Sequence, residues 1–363
     1  MRDRPSMKKK YYVSLKTQFE NMGDLLINRE LIKILSTHGN VYINCNSAPT
    51  DFVEKILPDI ENNCTPLNTK FELIGFYLKA LLNFFSKKAK YVFAQNPGGY
   101  GGEISERAMY RKRINTKIKA ALAFFGIDFV AFGVSYDSIG PRHTATLKEQ
   151  YKLYSKHYVR DEQSYNYCID NSIKCDGILP DLAFNLEYRT QHTHSNCKII
   201  LSFRELGSES LDSLLIESII RVVSDLSRRT DSTDISITYQ VTFDKDFSEK
   251  IASALSAHMG LSIKTIDLTK SLSDNFNIYS KANYTLSNRL HVLLMAMSVG
   301  SQSYALTHPE KNAKLVNLLA SEHLEDTMIS ITDNKTQLLN TNSIQDLGNT
   351  FKTNQKKLNT ARV

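Results

Sequence analysis

The chain has 363 residues, 42% of them hydrophobic, with a formal net charge of +7 and five cysteines. That length exceeds what one compact core usually organises and points to two domains, and the apolar share excludes a disordered chain. No apolar run approaches the roughly 20 residues of a membrane span, no C-x-x-C pair supports a disulfide framework or a zinc site, and the basic start at Lys8, Lys9 and Lys10 lacks the apolar run of a secretory signal. A reducing, cytoplasmic location is the default expectation.

Tyr11 to Leu15 reads as a first strand. The polar turn Gln18 to Asp24 follows, and its Asn21-Met22-Gly23-Asp24 leads into an amphipathic helix from Leu25 to Leu35. Val41 to Asn44 is a second strand, and Leu73 to Phe85 carries apolar residues at helical spacing. Tyr91 to Gln95 is a buried strand running into Asn96-Pro97-Gly98-Gly99-Tyr100-Gly101-Gly102. That stretch reads as a glycine turn, in which Gly98 and Gly99 allow close backbone approach to a ligand. Its spacing fits neither a dinucleotide fingerprint nor a P-loop. Lys117 to Phe125 is helical, within a block that carries Arg107, Arg111, Lys112, Arg113, Lys117 and Lys119 and no acid. Such a face suits an anionic membrane surface, and equally a solvated helix. Nucleic acid is not expected as a partner, because finger spacing, RNA-binding signatures and aromatic interleaving are all missing.

Phe129 to Val134 is a strand ending in Gly133-Val134-Ser135, and Tyr158-Val159-Arg160 is another strand end, with Asp161 capping the helix after it. Asn185 to Asn196, with His192 and His194, reads as the connection between domains rather than a metal site, because the histidines lack further ligands. A second alternation follows. Ile199 to Phe203 is a strand ending at Arg204, Leu211 to Leu226 a helix, Ile235 to Val241 a strand, Phe247 to Met259 a helix and Ser262 to Asp267 a strand. Ser303 to Leu306 is a strand and Lys311 to Leu319 a helix, and the polar, basic tail from Ile344 reads as one last helix with a frayed end.

Between them, Tyr284 to Met297 reads as a short buried strand, a tight polar turn and an apolar helix. Ser287 and Asn288 are both good helix caps, so Arg289, Leu290 and His291 fall where a helix begins. A helix start presents free amides and a partial positive charge, a seat for an anion. Arg289 can clamp a carboxylate or phosphate, and His291 can hold or release a proton near neutral pH. Two residues apart on a regular helix they point away from each other, so they converge only if Arg289 lies in the non-helical turn.

Strand–helix alternation through both halves predicts an α/β fold of two doubly wound, Rossmann-like domains facing a cleft. The expected limits are 1–184 for the N-terminal domain, 185–196 for a linker, 197–340 for the C-terminal domain and 341–363 for a basic tail. In such sheets ligands bind beyond the carboxyl ends of the strands. Arg160, Arg204 and Arg289 fall at strand ends, as do the turns holding Asn21, Gly23, Asp24, Gly98 and Gly99.

Four stretches carry a resemblance, in order along most of the chain: Asn21-Met22-Gly23-Asp24, Val159-Arg160-Asp161-Glu162-Gln163-Ser164, Leu179-Pro180-Asp181-Leu182-Ala183-Phe184, and Arg289-Leu290-His291 with Ala296. Together the chain resembles the polysaccharide pyruvyl transferase family. The resemblance implies a fold like two-domain glycosyltransferases of the B type and transfer of a pyruvyl group from phosphoenolpyruvate to a sugar, commonly as a cyclic ketal. It implies that Arg160, Arg289 and Leu290 contact the donor, that His291 is the catalytic acid, and that no cofactor is needed. It also implies an acceptor on a glycan or a lipid-linked oligosaccharide, with peripheral contact at an anionic membrane as a further expectation.

Nearby arginines favour neutral imidazole, so an acid partner is needed for His291, and Asp24 or Glu103 can serve. Asp181 is expected to cap a turn after Pro180. Asn96, Pro97, Ser135 and the proline-free Gly300-Ser301-Gln302-Ser303 depart from the family pattern. The rivals are a nucleotide-sugar glycosyltransferase on the same architecture and a non-catalytic carbohydrate-binding protein.

Overall fold

The computed structural model describes residues 8–57, 63–189, 197–332 and 347–361. The chain divides into two compact units, the first made of Met1–Phe19, Ile27–Leu182 and Lys357–Val363, the second of Glu20–Leu26 and Ala183–Lys356. The expected connection at His192 and His194 and the start of the expected tail, 341–346, lie outside the described residues. Among the described residues no helix is long and apolar enough to cross a membrane.

The first unit runs β1 (Lys8–Ser14), α1 (Met22–Ser36), β2 (Asn40–Asn44), α2 (Thr50–Ile56), β3 (Cys64–Leu67), α3 (Lys70–Ser86), β4 (Ala89–Gln95), β5 (Gly98–Gly102), α4 (Glu106–Phe124), β6 (Asp128–Ile139), α5 (Pro141–Tyr151), β7 (Lys156–Val159), α6 (Glu162–Asp170) and β8 (Gly177–Ile178). The first turn of α1 groups with the second unit. The strands lie in the order β3-β2-β1-β4-β6-β7-β8, with β5 also on β6, and every pairing is parallel. Parallel sheets bury both faces, which is why Tyr91 to Ala94 and Phe129 to Phe132 are buried without alternation.

The expected glycine turn is corrected by this sheet. Gly98 to Gly101 pair in register with Val134 to Asp137, so the stretch is extended and forms β5. Glycine is a poor strand former, but β6 is long enough to hold β4 on its first half and β5 on its second. That pairing satisfies the backbone groups, and neighbours outweigh intrinsic preference.

The second unit runs β9 (Lys198–Ser202), α7 (Glu209–Thr230), β10 (Asp234–Tyr239), α8 (Lys245–Met259), β11 (Lys264–Asp267), α9 (Leu272–Ser280), β12 (Tyr284–Ser287), α10 (Leu290–Ser298), β13 (Gln302–Thr307), α11 (Ala313–Ser321), β14 (Met328–Ser330) and α12 (Leu347–Thr360). Its six parallel strands lie in the order β11-β10-β9-β12-β13-β14. The order reverses between β9 and β12, the place where doubly wound sheets bind ligands. Ile199, Leu201, Ile237 and Leu286 from the strands pack with Leu215, Ile219, Val222 and Val223 of α7. α10 is buried throughout from Val292 to Ser298, as a helix apolar on every side should be.

Candidate functional site at the sheet reversal

Arg289 is the N-cap of α10, with φ −111° and ψ 120°, extended rather than helical. That is the condition under which Arg289 and His291 can serve one site. The expected caps are corrected: no side chain caps α10. Ser287 Oγ instead accepts from the Arg289 amide at 2.9 Å and donates to the Ser202 carbonyl. Asn288 donates to the Arg204 carbonyl at 2.8 Å and accepts from the Arg204 amide at 2.9 Å. Its side chain is spent tying together the ends of β9 and β12. The first-turn amides from Leu290 onward therefore lack a side-chain cap and can receive an anion.

Arg289 forms an ion pair with Asp244, and both side chains are largely buried. Asp244 immediately precedes α8, at the end of the loop after β10. The Nε of Arg289 is buried without a hydrogen-bond partner among the described residues, and a buried donor of this kind calls for an acceptor. Arg204 belongs to the same charge cluster. Part of its side chain is exposed, yet loss of solvent around its guanidinium, then repulsion from Arg289, lower its pKa, while Asp244 opposes the shift. Two cations share one carboxylate, so the cluster keeps an excess of positive charge for an anionic ligand.

His291 meets the start of α1. A Cβ at Gly23 would stand 2.2 Å from His291 Nδ1, so no side chain fits there without displacing the ring. Asn21 shapes that turn: its Oδ1 accepts from the Gly23 amide at 2.9 Å, and its carbonyl accepts from the Leu25 amide at 3.1 Å. The Met22 amide donates to the Gln240 carbonyl at 3.4 Å, which fixes the first turn of α1 at the end of β10. Asp24 accepts from Asn21 Nδ2 at 3.4 Å, one residue beyond the contact with the imidazole. The second unit thus holds His291 against the start of α1, and the cluster of Arg289, Asp244 and Arg204 at the neighbouring strand ends.

Arg160, Gly98 and Gly99 belong to the first unit. The Arg160 amide donates to the Val134 carbonyl at 3.0 Å, and Gly98 pairs with Val134, so both flank the same point of β6. Arg160 Nη1 donates to Asp181 at 2.8 Å. The buried carboxylate of Asp181 orients the arginine. The Nε of Arg160 is also buried without a hydrogen-bond partner among the described residues. Asp161 caps α6 by accepting from the Ser164 amide at 2.7 Å, and Ser164 Oγ accepts from the Tyr136 amide at 2.8 Å. Of the Val-Arg-Asp-x-x-Ser element, only Arg160 is left to meet a ligand.

Glu103, the other candidate acid, belongs to the first unit. Its carboxylate accepts from the amides of Ile104 at 2.7 Å and of Arg142 and His143 at 3.1 Å each, bonds that hold its pKa down and commit it to the start of α5. Sequence reasoning missed Asp244 and the bridging role of Asn288. Asp244 had a signal, an acid between a strand end and a helix, the position that singled out the arginines.

Two parallel-sheet units whose polar groups gather beyond the strand ends define a glycosyltransferase B-like α/β protein. The chain has this fold in common with a glycosyltransferase from Rickettsia africae, at 13% identity over 98% of this chain and 92% of that one, with a TM-score of 0.53. It is also similar, at a TM-score of 0.45 and 13% identity, to the UDP-GlcNAc 2-epimerase of Methanocaldococcus jannaschii, covering 98% of this chain and 94% of that one. No curated protein matches it in sequence. A family model described as polysaccharide pyruvyl transferase matches residues 21–309, and the chain belongs to that family.

Proposed function

We propose that the protein transfers a pyruvyl group from phosphoenolpyruvate to a sugar of a surface polysaccharide or of its lipid-linked precursor, forming a ketal. The observation that carries the reading is the arrangement of His291, Arg289 and the uncapped start of α10 against Gly23, within a chain of this family. Phosphoenolpyruvate brings a carboxylate and a phosphate, and the second unit offers Arg289, Arg204 and the first-turn amides at Leu290 and His291. Arg160, Gly98 and Gly99 are assigned to substrate binding in the same reading.

In the proposed reaction the His291 imidazolium gives a proton to the methylene carbon of the donor. The neighbouring carbon becomes oxocarbenium-like and is attacked by a sugar hydroxyl. A second hydroxyl then displaces phosphate and closes the ketal. Of the two hydroxyl protons released, one balances the proton gained by the methyl group and the other leaves with phosphate. Acid assistance of this kind is worth about 10²–10⁴-fold. Asp24 is the acid assigned to support the imidazolium, with Asn21 holding its turn. The reading calls for a cytoplasmic protein and no cofactor, and peripheral contact with an anionic membrane belongs to it where the acceptor is lipid-linked.

The test is phosphate release from phosphoenolpyruvate across a panel of acceptor glycans, with mass spectrometry of the product. Pyruvylated product is expected. Thermal stabilisation by a nucleotide sugar and not by phosphoenolpyruvate would favour a glycosyl donor instead. Sugar binding with no phosphate released by any acceptor would leave a binding protein.

A further inference from the structure

Ten of the thirteen large hydrophobic side chains exposed among the described residues belong to α3 and α4. On α3, Phe71, Ile74, Leu78, Leu82 and Phe85 recur at steps of three and four residues, which makes one stripe opposite the buried Phe76 and Ala80. Phe71 is 86% exposed and Phe85 80%. On α4, Tyr110, Ile114 and Ile118 recur at steps of four, and the helix has no buried residue at all. The two helices meet near their C-terminal ends, where Phe84, edge-on to Phe85 of the stripe, stacks on Phe124 at 6.3 Å between ring centroids and meets Phe125 edge-on at 5.6 Å. Scattered apolar residues on a surface mean little, but a continuous patch calls for something to cover it.

Charge selects the occupant. Lys79, Lys87 and Lys88 are exposed on and just after α3, and Arg107, Arg111 and Lys117 lie three residues from Tyr110 or Ile114 on α4. None of these six makes an ion pair among the described residues. The exposed acids of the two helices are Glu72 and Glu106, and the carboxylate of Glu72 is turned back to the amides of Asn68 and Thr69. A second copy of the chain placed here would set one basic surface against another, which like charges oppose. An anionic bilayer supplies both hydrocarbon for the stripes and negative headgroups for the cations.

We infer that the α3–α4 face of the first unit docks on an anionic lipid bilayer, its apolar stripes entering the headgroup boundary and its cations meeting acidic lipid. The inference names the surface for the membrane contact in the reading above, and rests on that reading only for its purpose.

The test is co-sedimentation of the full chain with vesicles of phosphatidylcholine, alone or with about one third phosphatidylglycerol. Binding is expected to be roughly tenfold or more tighter to the acidic vesicles and to weaken with salt. The variant Leu78→Gln/Leu82→Gln/Phe85→Ser and the variant Arg107→Glu/Arg111→Glu/Lys117→Glu should each lose that binding with an unchanged unfolding midpoint. Equal binding to neutral vesicles, no binding to either, or variants that bind like the parent would overturn the inference. So would a parent that sediments as a dimer which the apolar variant splits. Phosphate release from phosphoenolpyruvate with a soluble glycan, measured on the same samples, should be unchanged in both variants. Its absence from the parent would fell the transfer reading and leave the docking face standing.

Discussion

α10 and α3 are both apolar on nearly every side, and they meet opposite surroundings. α10 is buried from Val292 to Ser298 and has no side-chain cap. α3 leaves a stripe from Phe71 to Phe85 in the open and carries a complete capping box, Thr69 Oγ accepting from the Glu72 amide at 3.2 Å and Glu72 accepting from the Thr69 amide at 3.0 Å. The exposed helix spends its first-turn amides on its own side chains. The buried helix is held by packing, which leaves its first-turn amides uncapped by side chains beside Arg289 and His291. The difference teaches where each helix can do work: α10 at its end, α3 along its side.

The sharpest way to break this comparison is to cut into the two stripes. Leu294→Ala in α10 should cost about 2–5 kcal/mol of unfolding free energy in a denaturant titration, because the hole it leaves is enclosed. A loss below about 1 kcal/mol would mean that α10 is not the packed element described. Next in size is Gly23→Ala. The added methyl group must displace the imidazole of His291, and overpacking of this kind costs about 1–3 kcal/mol. Turnover should fall with it, and a fully active Gly23→Ala enzyme would separate the start of α1 from the chemistry. Smaller again, Arg289→Lys should weaken donor affinity roughly tenfold, since an ammonium cannot reproduce the guanidinium fork. Normal affinity by calorimetry would take Arg289 out of the site. At the bottom lies Leu82→Gln on α3, 65% exposed, where the unfolding free energy should change by no more than ~0.5 kcal/mol.

The two helices also mark what could be read from the chain alone. α10 and its neighbours were legible, since a buried strand, a polar turn and an apolar run have local signatures, and the strand-end rule singled out Arg160, Arg204 and Arg289. The apolar spacing of α3 was legible as a helix, but nothing local says which side the sheet covers, so its open stripe was not. The first three turns of α4, Glu106 to Thr116, were missed because basic and polar residues dominate them. β5 was misread because glycines signal turns, and only the distant strand β6 makes them extended. The pairs Arg289–Asp244 and Arg160–Asp181 join residues 45 and 21 positions apart, beyond any periodic signal. Asn288 could be named as polar and turn-forming, but its partner at Arg204 lies 84 residues away.

In the proposed transfer His291 delivers the proton to an anionic donor held at the start of α10. The direct measurement is phosphate release from phosphoenolpyruvate by the parent and by His291→Ala, with donor affinity measured on both by calorimetry. Near-normal donor affinity and turnover reduced by about 10²–10⁴-fold are expected in the variant. Undiminished phosphate release from His291→Ala would contradict it.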